Sequence, residues 1–438
     1  MRWKAPALAL LGAAAVAGIA IGFSLGGGDD STITNASSRL FSDTGTTATS
    51  TATTGTSTTL LHLPKPGHIR LGHRLVVATV DDAVKQVDPA QAAGLMKISH
   101  DAGFDAIMVS AMWKPGARAP SAQDRLTLTN VVNAADAEDM DVFVFVWHGL
   151  SGATPRTAQA RRNFAAYTAA LARDFPKIRH FVVGNEPNLN TFWRPQFGPD
   201  GRDVAASGYL DMLARTYDAL KAVSPDIQVI GGALAPRGSD RAGTKRDTHS
   251  PTRFIEDLGE AYRASHRTKP IMDAFAIHPY MRTSKLPPTD THAASSTITI
   301  ADYPKLVALL ARAFTGTAQH GQDLPIYYTE FGVQTVVPAA HRGAYTDLKS
   351  PSAVDAVDPQ TQARYYREAL ELAACQPTVR ALFVFHTFDE ADLAGWQSGL
   401  YYADQQPKAS LPAFRKAAVE ARNERLTHCS GVTFVRKR

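Results

Sequence analysis

At 438 residues, 44% of them hydrophobic, the chain can build one large domain or two to three ordinary ones. A formal net charge of +5 is mild for this length, and no block of basic residues with interleaved aromatics occurs, which argues against a nucleic-acid partner. The basic end Arg436-Lys437-Arg438 reads as a solvated tail, and neither of the two cysteines, Cys375 and Cys429, has the local context of a catalytic thiol.

Arg2 and Lys4 precede an uncharged, Ala/Leu/Ile-rich stretch from Ala5 to Gly28, a positive flank and apolar run of the kind that directs export. Ala15-Val16-Ala17 offers a small-residue cleavage site, but the apolar character runs on to Leu25, long enough for a membrane-spanning helix held with its basic side in the cytoplasm. Residues 1–28 are therefore a signal peptide or a signal anchor. Both place the remainder outside the cytoplasm, secreted or tethered to the membrane or cell wall. In that oxidising setting a Cys375–Cys429 disulfide would pin the C-terminal tail to the end of a late helix; the alternative is one buried and one exposed thiol. Residues 29–63 are rich in Ser, Thr and Gly, and Thr44 to Thr59 is entirely small or hydroxylated. Such a segment has too little to bury to offset the entropy of ordering, and reads as a disordered linker.

From about Pro64 to the end, 64–438, the composition is that of one globular domain. Leu75 to Val80 is a first strand; Asp88-Pro89 then supplies an N-cap and a proline at the first helical position, and Gly103 ends that helix. Ala106 to Ser110 is a second strand with a helix ending near Met140. Val142 to Trp147 is a third, followed by a helix from Thr154 to Phe175 with Phe164, Tyr167, Leu171 and Phe175 at helical spacing. His180 to Gly184 and Ala205 to Val223 form the fourth strand and helix, and Gln228 to Gly232 and Pro251 to Ala264 the fifth pair. Met272 to Ile277 and Asp302 to Ala318 form the sixth. Ile326 to Thr329 precedes a helix opened by Asp358-Pro359 and closed at Cys375, and Val379 to Phe385 precedes the last helix, Leu411 to Leu426.

Eight near-continuous apolar strands, each followed by a helix, predict a parallel sheet covered on both faces and closed into a (β/α)8 barrel. The rival, a doubly wound open sheet, usually carries a Gly-rich phosphate turn after its first strand, and none follows Val80. Three long connections, Ala235 to Ser250, Met281 to Thr299 and Gln334 to Val357, all follow strands and would rise on the C-terminal face, where barrel active sites lie.

On that face two glutamates stand out. Glu186, in Asn185-Glu186-Pro187-Asn188, follows the fourth strand, and Glu330 follows the seventh. Two carboxylates at strand ends far apart in sequence are what glycosidic cleavage requires: one acid protonates the leaving oxygen and one carboxylate faces the anomeric carbon.

Gly184-Asn185-Glu186-Pro187-Asn188 and Tyr328-Thr329-Glu330-Phe331-Gly332 resemble the strand-four and strand-seven motifs of clan A retaining glycoside hydrolases, with the cellulase-like family 5 and the xylosidase-like family 39 the nearest in appearance. The resemblance covers about residues 70–410. It implies hydrolysis of O-glycosidic bonds in a β-linked oligo- or polysaccharide by double displacement, with Glu186 as general acid/base and Glu330 as nucleophile. Asn185 is implied to hold the sugar 2-hydroxyl. His278-Pro279-Tyr280 matches the His-x-Tyr at the sixth strand end, so Tyr280 is implied to orient Glu330 and His278 to line the sugar subsite. His148 resembles the histidine that some of these families place beside the reacting sugar.

Trp113, Trp147, Trp193, Phe388 and Trp396 lie in or near mouth-side loops and are candidate sugar platforms, with ordinary packing as the alternative. Asp81 and Asp82 can contact sugar hydroxyls or cap a helix. Two departures leave the sugar open: no Arg stands in Val109-Ser110-Ala111-Met112-Trp113, and Phe385-His386-Thr387-Phe388 stands where a Trp usually floors the subsite. They motivate a second reading, a non-catalytic carbohydrate- or wall-binding barrel, and a third, a transglycosylase using the same residues. No metal is expected, since there is no His-x-His at the first strand end and no His-Glu-x-x-His, and no nicotinamide, flavin or nucleotide motif is present.

Overall fold

A computed structural model describes residues 74–244, 246–348 and 355–426. The leader and linker expected over 1–63, and Cys429 with the basic tail, lie outside the described residues. No helix among the described residues is long and apolar enough to cross a membrane.

Eight strands, β1 (Val76–Val80), β2 (Ala106–Met112), β3 (Asp141–Trp147), β4 (His180–Val183), β5 (Gln228–Leu234), β6 (Ala274–Ile277), β7 (Ile326–Phe331) and β8 (Val379–Phe385), form one closed parallel barrel in sequence order. The helices are α1 (Pro89–Asp101), α2 (Ala122–Ala137), α3 (Ala158–Asp174), α4 (Ala205–Val223), α5 (Pro251–Ala264), α6 (Tyr303–Ala313), α7 (Pro359–Ala374) and α8 (Leu411–Arg422). The predicted (β/α)8 architecture is thus the observed one.

Local signals explain the helix starts. Asp88 accepts from Ala90 N–H ahead of Pro89, Ser250 from Arg253 N–H ahead of Pro251, and Asp358 from Thr361 N–H ahead of Pro359, so each proline stands where its missing N–H costs nothing. Several boundaries differ from the sequence reading, two of them for a visible local reason. β6 starts at Ala274 rather than Met272 because the Ile271 and Met272 N–H groups donate to the Gln319 side chain at 3.1 and 3.2 Å instead of to a strand. α6 stops at Ala313 because Gly316 adopts φ +74° and the Thr317 hydroxyl donates to Phe314 O, a turn the alanine-rich pattern had concealed.

Alternate strand residues divide the core. Val77, Ile107, Val109, Val144, Phe181 and Ile326 face the helices, while Ala78, Met108, Phe143, Val182, Ile230 and Phe383 fill the barrel. Phe143 anchors the interior, stacked on His180 at 4.1 Å and edge-on to Phe383 at 5.0 Å. A filled interior leaves only the strand ends to make a site.

Candidate active site

The turn after β4 is fixed by its neighbours. Gly184 adopts φ +86°, and a Cβ there would sit 3.0 Å from the Tyr209 ring. Glu186 and, across from it, Ala233 are non-glycine residues with positive φ, +38° and +49°, joined by a 2.8 Å bond from Glu186 N–H to Ala233 O. Such conformations cost of order 1–3 kcal/mol each and persist only where the surroundings over-determine them. Here Tyr209, from α4, donates its hydroxyl to Val183 O at 2.8 Å and accepts Gly232 N–H at 2.7 Å. Asn188 accepts Ala235 N–H at 2.9 Å and donates to Ala235 O at 3.2 Å and His249 O at 2.9 Å. The Glu186 turn is thereby fastened to the end of β5, whose pairing with β6 shifts register between Gly232 and Leu234.

Glu330 lies within β7 rather than just beyond it, because the strand continues to Phe331; its pairing with β8 is irregular between Tyr328 and Phe331, the interval that holds Glu330. One imidazole nitrogen links the two carboxylates: His278 Nδ1 is 3.1 Å from Glu186 Oε1 and 3.4 Å from Glu330 Oε2. Tyr280 donates its hydroxyl to the same Glu330 oxygen at 3.1 Å. The side chains of Glu186, Glu330 and His278 are only 6%, 14% and 2% exposed, so these contacts are made with little water to screen them.

Burial is the largest influence on Glu330 and raises its pKa; Glu186 raises it too, while His278, the Tyr280 hydrogen bond and His386 pull it back. Burial works against the charged form of His278, but the Glu330 charge and the hydrogen bond and charge of Glu186 outweigh it, so the imidazole pKa is raised. Burial and the same two carboxylates hold the Tyr280 phenol well above its ordinary value, which keeps it a donor.

A second group surrounds the end of β8. His386 directs Nδ1 at Val80 O and Nε2 at Glu390 Oε1, the latter at 3.2 Å. Burial opposes its charge, yet the Glu390 hydrogen bond and then the Asp81 charge hold its pKa up at about 9. Glu390 also accepts Trp396 N–H at 3.2 Å, and a Cβ at Gly395 would fall on the Glu390 carboxylate and displace it from this contact. Trp396 is thereby set with its ring 5.0 Å from that of Tyr280 and 5.6 Å from that of Phe385. Beneath this loop Lys408 and Asp389 form a fully buried ion pair at 2.6 Å, with Lys408 also donating to Gln397 O at 3.0 Å.

Glu186, Glu330, His278, Tyr280 and Trp396 thus come together at one end of the barrel, with Asn185 half-buried beside Glu186. Trp147 closes the interior layer at the end of β3, with its ring 6.2 Å from that of Phe192. Its indole N–H is buried without a hydrogen-bond partner.

Three aromatic candidates go elsewhere. Trp113 is 1% exposed, donates to Ala117 O at 2.8 Å and packs edge-on to Phe164. Trp193 packs against Tyr209 between barrel and helices, and Phe388 against Tyr401 in the same layer. For these, packing prevails over a platform role. His148 is buried edge-on to Trp193, and burial lowers its pKa to about 4, so it is a neutral ring.

Structural hydrogen bonds likewise claim the aspartates, Asp81 as a cap and Asp82 through Ser110. Asp81 accepts from Ala83, Thr387 and Phe388 N–H groups, and Asp82 accepts Ser110 N–H at 2.7 Å together with the Ser110 hydroxyl. Cys375 is buried at the C-cap of α7; Cys429, its expected partner, lies outside the described residues.

Sequence reasoning missed His386, Glu390 and Arg237. Arg237 donates to Tyr280 O at 3.0 Å and Met281 O at 2.9 Å. Burial lowers its pKa to about 10 against the opposing pull of Glu186. Only His386 stands directly after a strand; Arg237 and Glu390 lie three and five residues beyond theirs, where no local pattern marks them.

No family model matches the sequence, and no curated protein matches it. Solved structures do share its shape. A glucosidase from Croceicoccus marinus is 12% identical with a TM-score of 0.54, over 80% of this chain and 68% of that one. The beta-glucosidase from Thermotoga maritima in complex with noeuromycin is 13% identical with a TM-score of 0.52, over 78% and 88%. A GH39 beta-xylosidase from Caulobacter crescentus is 18% identical with a TM-score of 0.50, over 78% and 70%. At these identities the likeness is one of fold, and the expected resemblance to clan A glycosidases holds at that level: the chain is similar in fold to a GH39 xylosidase and to other glycosidases built on the (β/α)8 barrel.

Proposed function

We propose that this protein is a retaining β-glycosidase acting outside the cytoplasm on a β-linked oligo- or polysaccharide. The observation that carries the reading is the single His278 nitrogen in contact with both Glu186 and Glu330. The nearest oxygens of the pair are separated by no more than those two contacts laid end to end. Inverting enzymes need carboxyl groups about 6.5–9.5 Å apart to admit a water, whereas retaining pairs sit at about 5 Å. The bridge through His278 is compatible with the retaining spacing, which suits direct attack.

In the first step a Glu330 oxygen attacks the anomeric carbon while the glycosidic C–O bond breaks, and Glu186 gives its proton to the departing oxygen. In the second, water attacks the same carbon, Glu186 takes the proton, and the bond to Glu330 breaks. The charge of His278 and the hydrogen bond from Tyr280 favour the ionised form of Glu330, and the charge of His386 acts in the same sense. Loss of the Glu330 charge on forming the ester removes one anion beside Glu186 and eases its change from acid to base. Asn185 is assigned to the sugar 2-hydroxyl and Trp396 to the floor beside Tyr280, replacing the Trp absent from the end of β8.

The test is covalent trapping. A 2-fluoro aryl β-glycoside should label Glu330, located by peptide mass mapping, and Glu330→Gln should end turnover of any substrate the parent cleaves. Full activity in Glu330→Gln would overturn the assignment. Measurable oligosaccharide binding with no turnover of aryl glycosides, β-glucan, xylan or mannan would replace the enzyme by a carbohydrate-binding barrel.

A further inference from the structure

Behind the Glu186 turn, and apart from the carboxylate pair, lies a second cluster of buried ligating groups. Asp203 lies two residues before α4, His249 lies near the end of the long connection after β5, and Asp257 projects from α5; one ligand atom from each lies within 4.8 Å of the others. Their side chains are 3%, 2% and 10% exposed. His249 Nε2 is 3.5 Å from Asp203 Oδ1 and 3.2 Å from the carbonyl oxygen of Gln196. Those separations match the edge of a tetrahedron with bonds of about 2.0–2.1 Å, which is roughly 3.3–3.5 Å. An Asp257 oxygen lies within 4.8 Å of the other ligand atoms.

The Gln196 carbonyl already accepts Val204 N–H at 3.0 Å, but three side-chain atoms here lack a protein partner. Asp203 Oδ2, His249 Nδ1 and Gln196 Oε1 are all buried without a hydrogen-bond partner. Asp203 Oδ1 accepts Ala206 N–H at 2.9 Å, and Arg253 pairs with Asp257 at 2.8 Å, but Arg253 is 56% exposed and free to rotate outward.

The geometry points to a structural divalent-cation site formed by Asp203, His249, Asp257 and the Gln196 carbonyl, of the imidazole-and-carboxylate kind suited to zinc-like transition ions rather than calcium. The ion would tie α4, α5 and the β5 connection together. His249 N–H donates to Asn188 O at 2.8 Å, two residues beyond Glu186, so the tie reaches the catalytic turn through one hydrogen bond. The inference is independent of the glycosidase reading, because it concerns stability and metal content rather than turnover.

The test uses the tag-free full chain, stripped with a chelator and dialysed. Titration with ZnCl2 should show one equivalent bound per chain and a higher unfolding temperature, with CaCl2 giving a much weaker response. Asp257→Asn and Asp203→Asn should each weaken zinc binding by more than about tenfold, since even partners outside the ligand set cost 10–100-fold. Should either variant fail to fold, CoCl2 added to the parent gives the same answer: the visible absorption of tetrahedral Co2+ should appear and vanish on addition of zinc. No zinc binding, an equal response to calcium, or zinc affinity unchanged in both variants would each overturn the site.

Discussion

Two pairs of buried acids, each with a histidine against it, behave in opposite ways. Between Glu186 and Glu330 the imidazole pKa is raised; beside Asp203 and Asp257 it is lowered, and the two aspartic acids titrate near 6. All the groups are removed from water, so burial alone does not separate them. What differs is where the ring nitrogen points. His278 Nδ1 meets both glutamates within 3.4 Å, and their attraction exceeds the cost of burying its charge. His249 Nε2 instead faces a backbone carbonyl and one aspartate at 3.5 Å, while the Phe197 ring covers its face with centroids 4.2 Å apart. The first arrangement holds a proton between two acids, as acid/base work needs; the second leaves two acids wanting a cation.

The sharpest break in this comparison is Glu330→Gln, which should bring hydrolysis below detection while the folded barrel persists by circular dichroism; the equivalent Asp203→Asn should leave kcat on an aryl glycoside within about twofold when zinc is absent from both proteins. Glu186→Gln should cost roughly 10²–10⁴ in kcat on glycosides with poor leaving groups. The loss should shrink when the leaving group is an activated phenol that needs no proton. An equal loss on both substrates would remove Glu186 from the acid role.

Tyr280→Phe deletes one hydrogen bond to a charged group, worth about 1.5–3 kcal/mol, so kcat/KM should fall roughly ten- to hundredfold. Because Tyr280 favours ionised Glu330, its removal raises the Glu330 pKa further, and the acid limb of the pH–rate profile should move to higher pH. An unmoved limb would show that Glu330 does not set it.

The aspartate pair predicts a stability effect of unusual sign. Its folded pKa values, about 6, exceed the ordinary 3.8, so between those values the folded chain binds more protons than the unfolded one. Stability of the metal-free protein should therefore decline from pH 4 to pH 6, by on the order of 1–3 kcal/mol. Asp203→Asn should flatten that decline, and zinc should abolish it; a parent-like slope in the variant would place the titrating groups elsewhere. The smallest expected effect is Trp396→Ala, about 0.5–1.5 kcal/mol of lost ring packing, read as a higher KM with kcat little changed.

Much of this was legible in the sequence. Asp88-Pro89 and Asp358-Pro359 announced helix starts through the missing N–H of proline, and strand counting placed Glu186, Tyr280 and Glu330 on one face. The same count failed for Trp113, Trp193 and Phe388. Position along a strand says which end a residue occupies but not whether its ring turns to the mouth or to the helices, and each of these found a cavity between strand and helix. Asp203, His249 and Asp257 carry no spacing signature either, because a long connection folds back to bring the histidine against two helices.

The tie between Val183 and Gly232 through the Tyr209 hydroxyl has a consequence for redesign of this barrel. Mouth loops of such barrels are often treated as interchangeable parts. Here the Glu186 turn borrows its shape from β5 through Ala233 O, Asn188 and Tyr209, so the segment from β4 through α4 to His249 is one transplantable unit. A graft that took the Asn-Glu-Pro turn without it would carry over the glutamate and lose its aim.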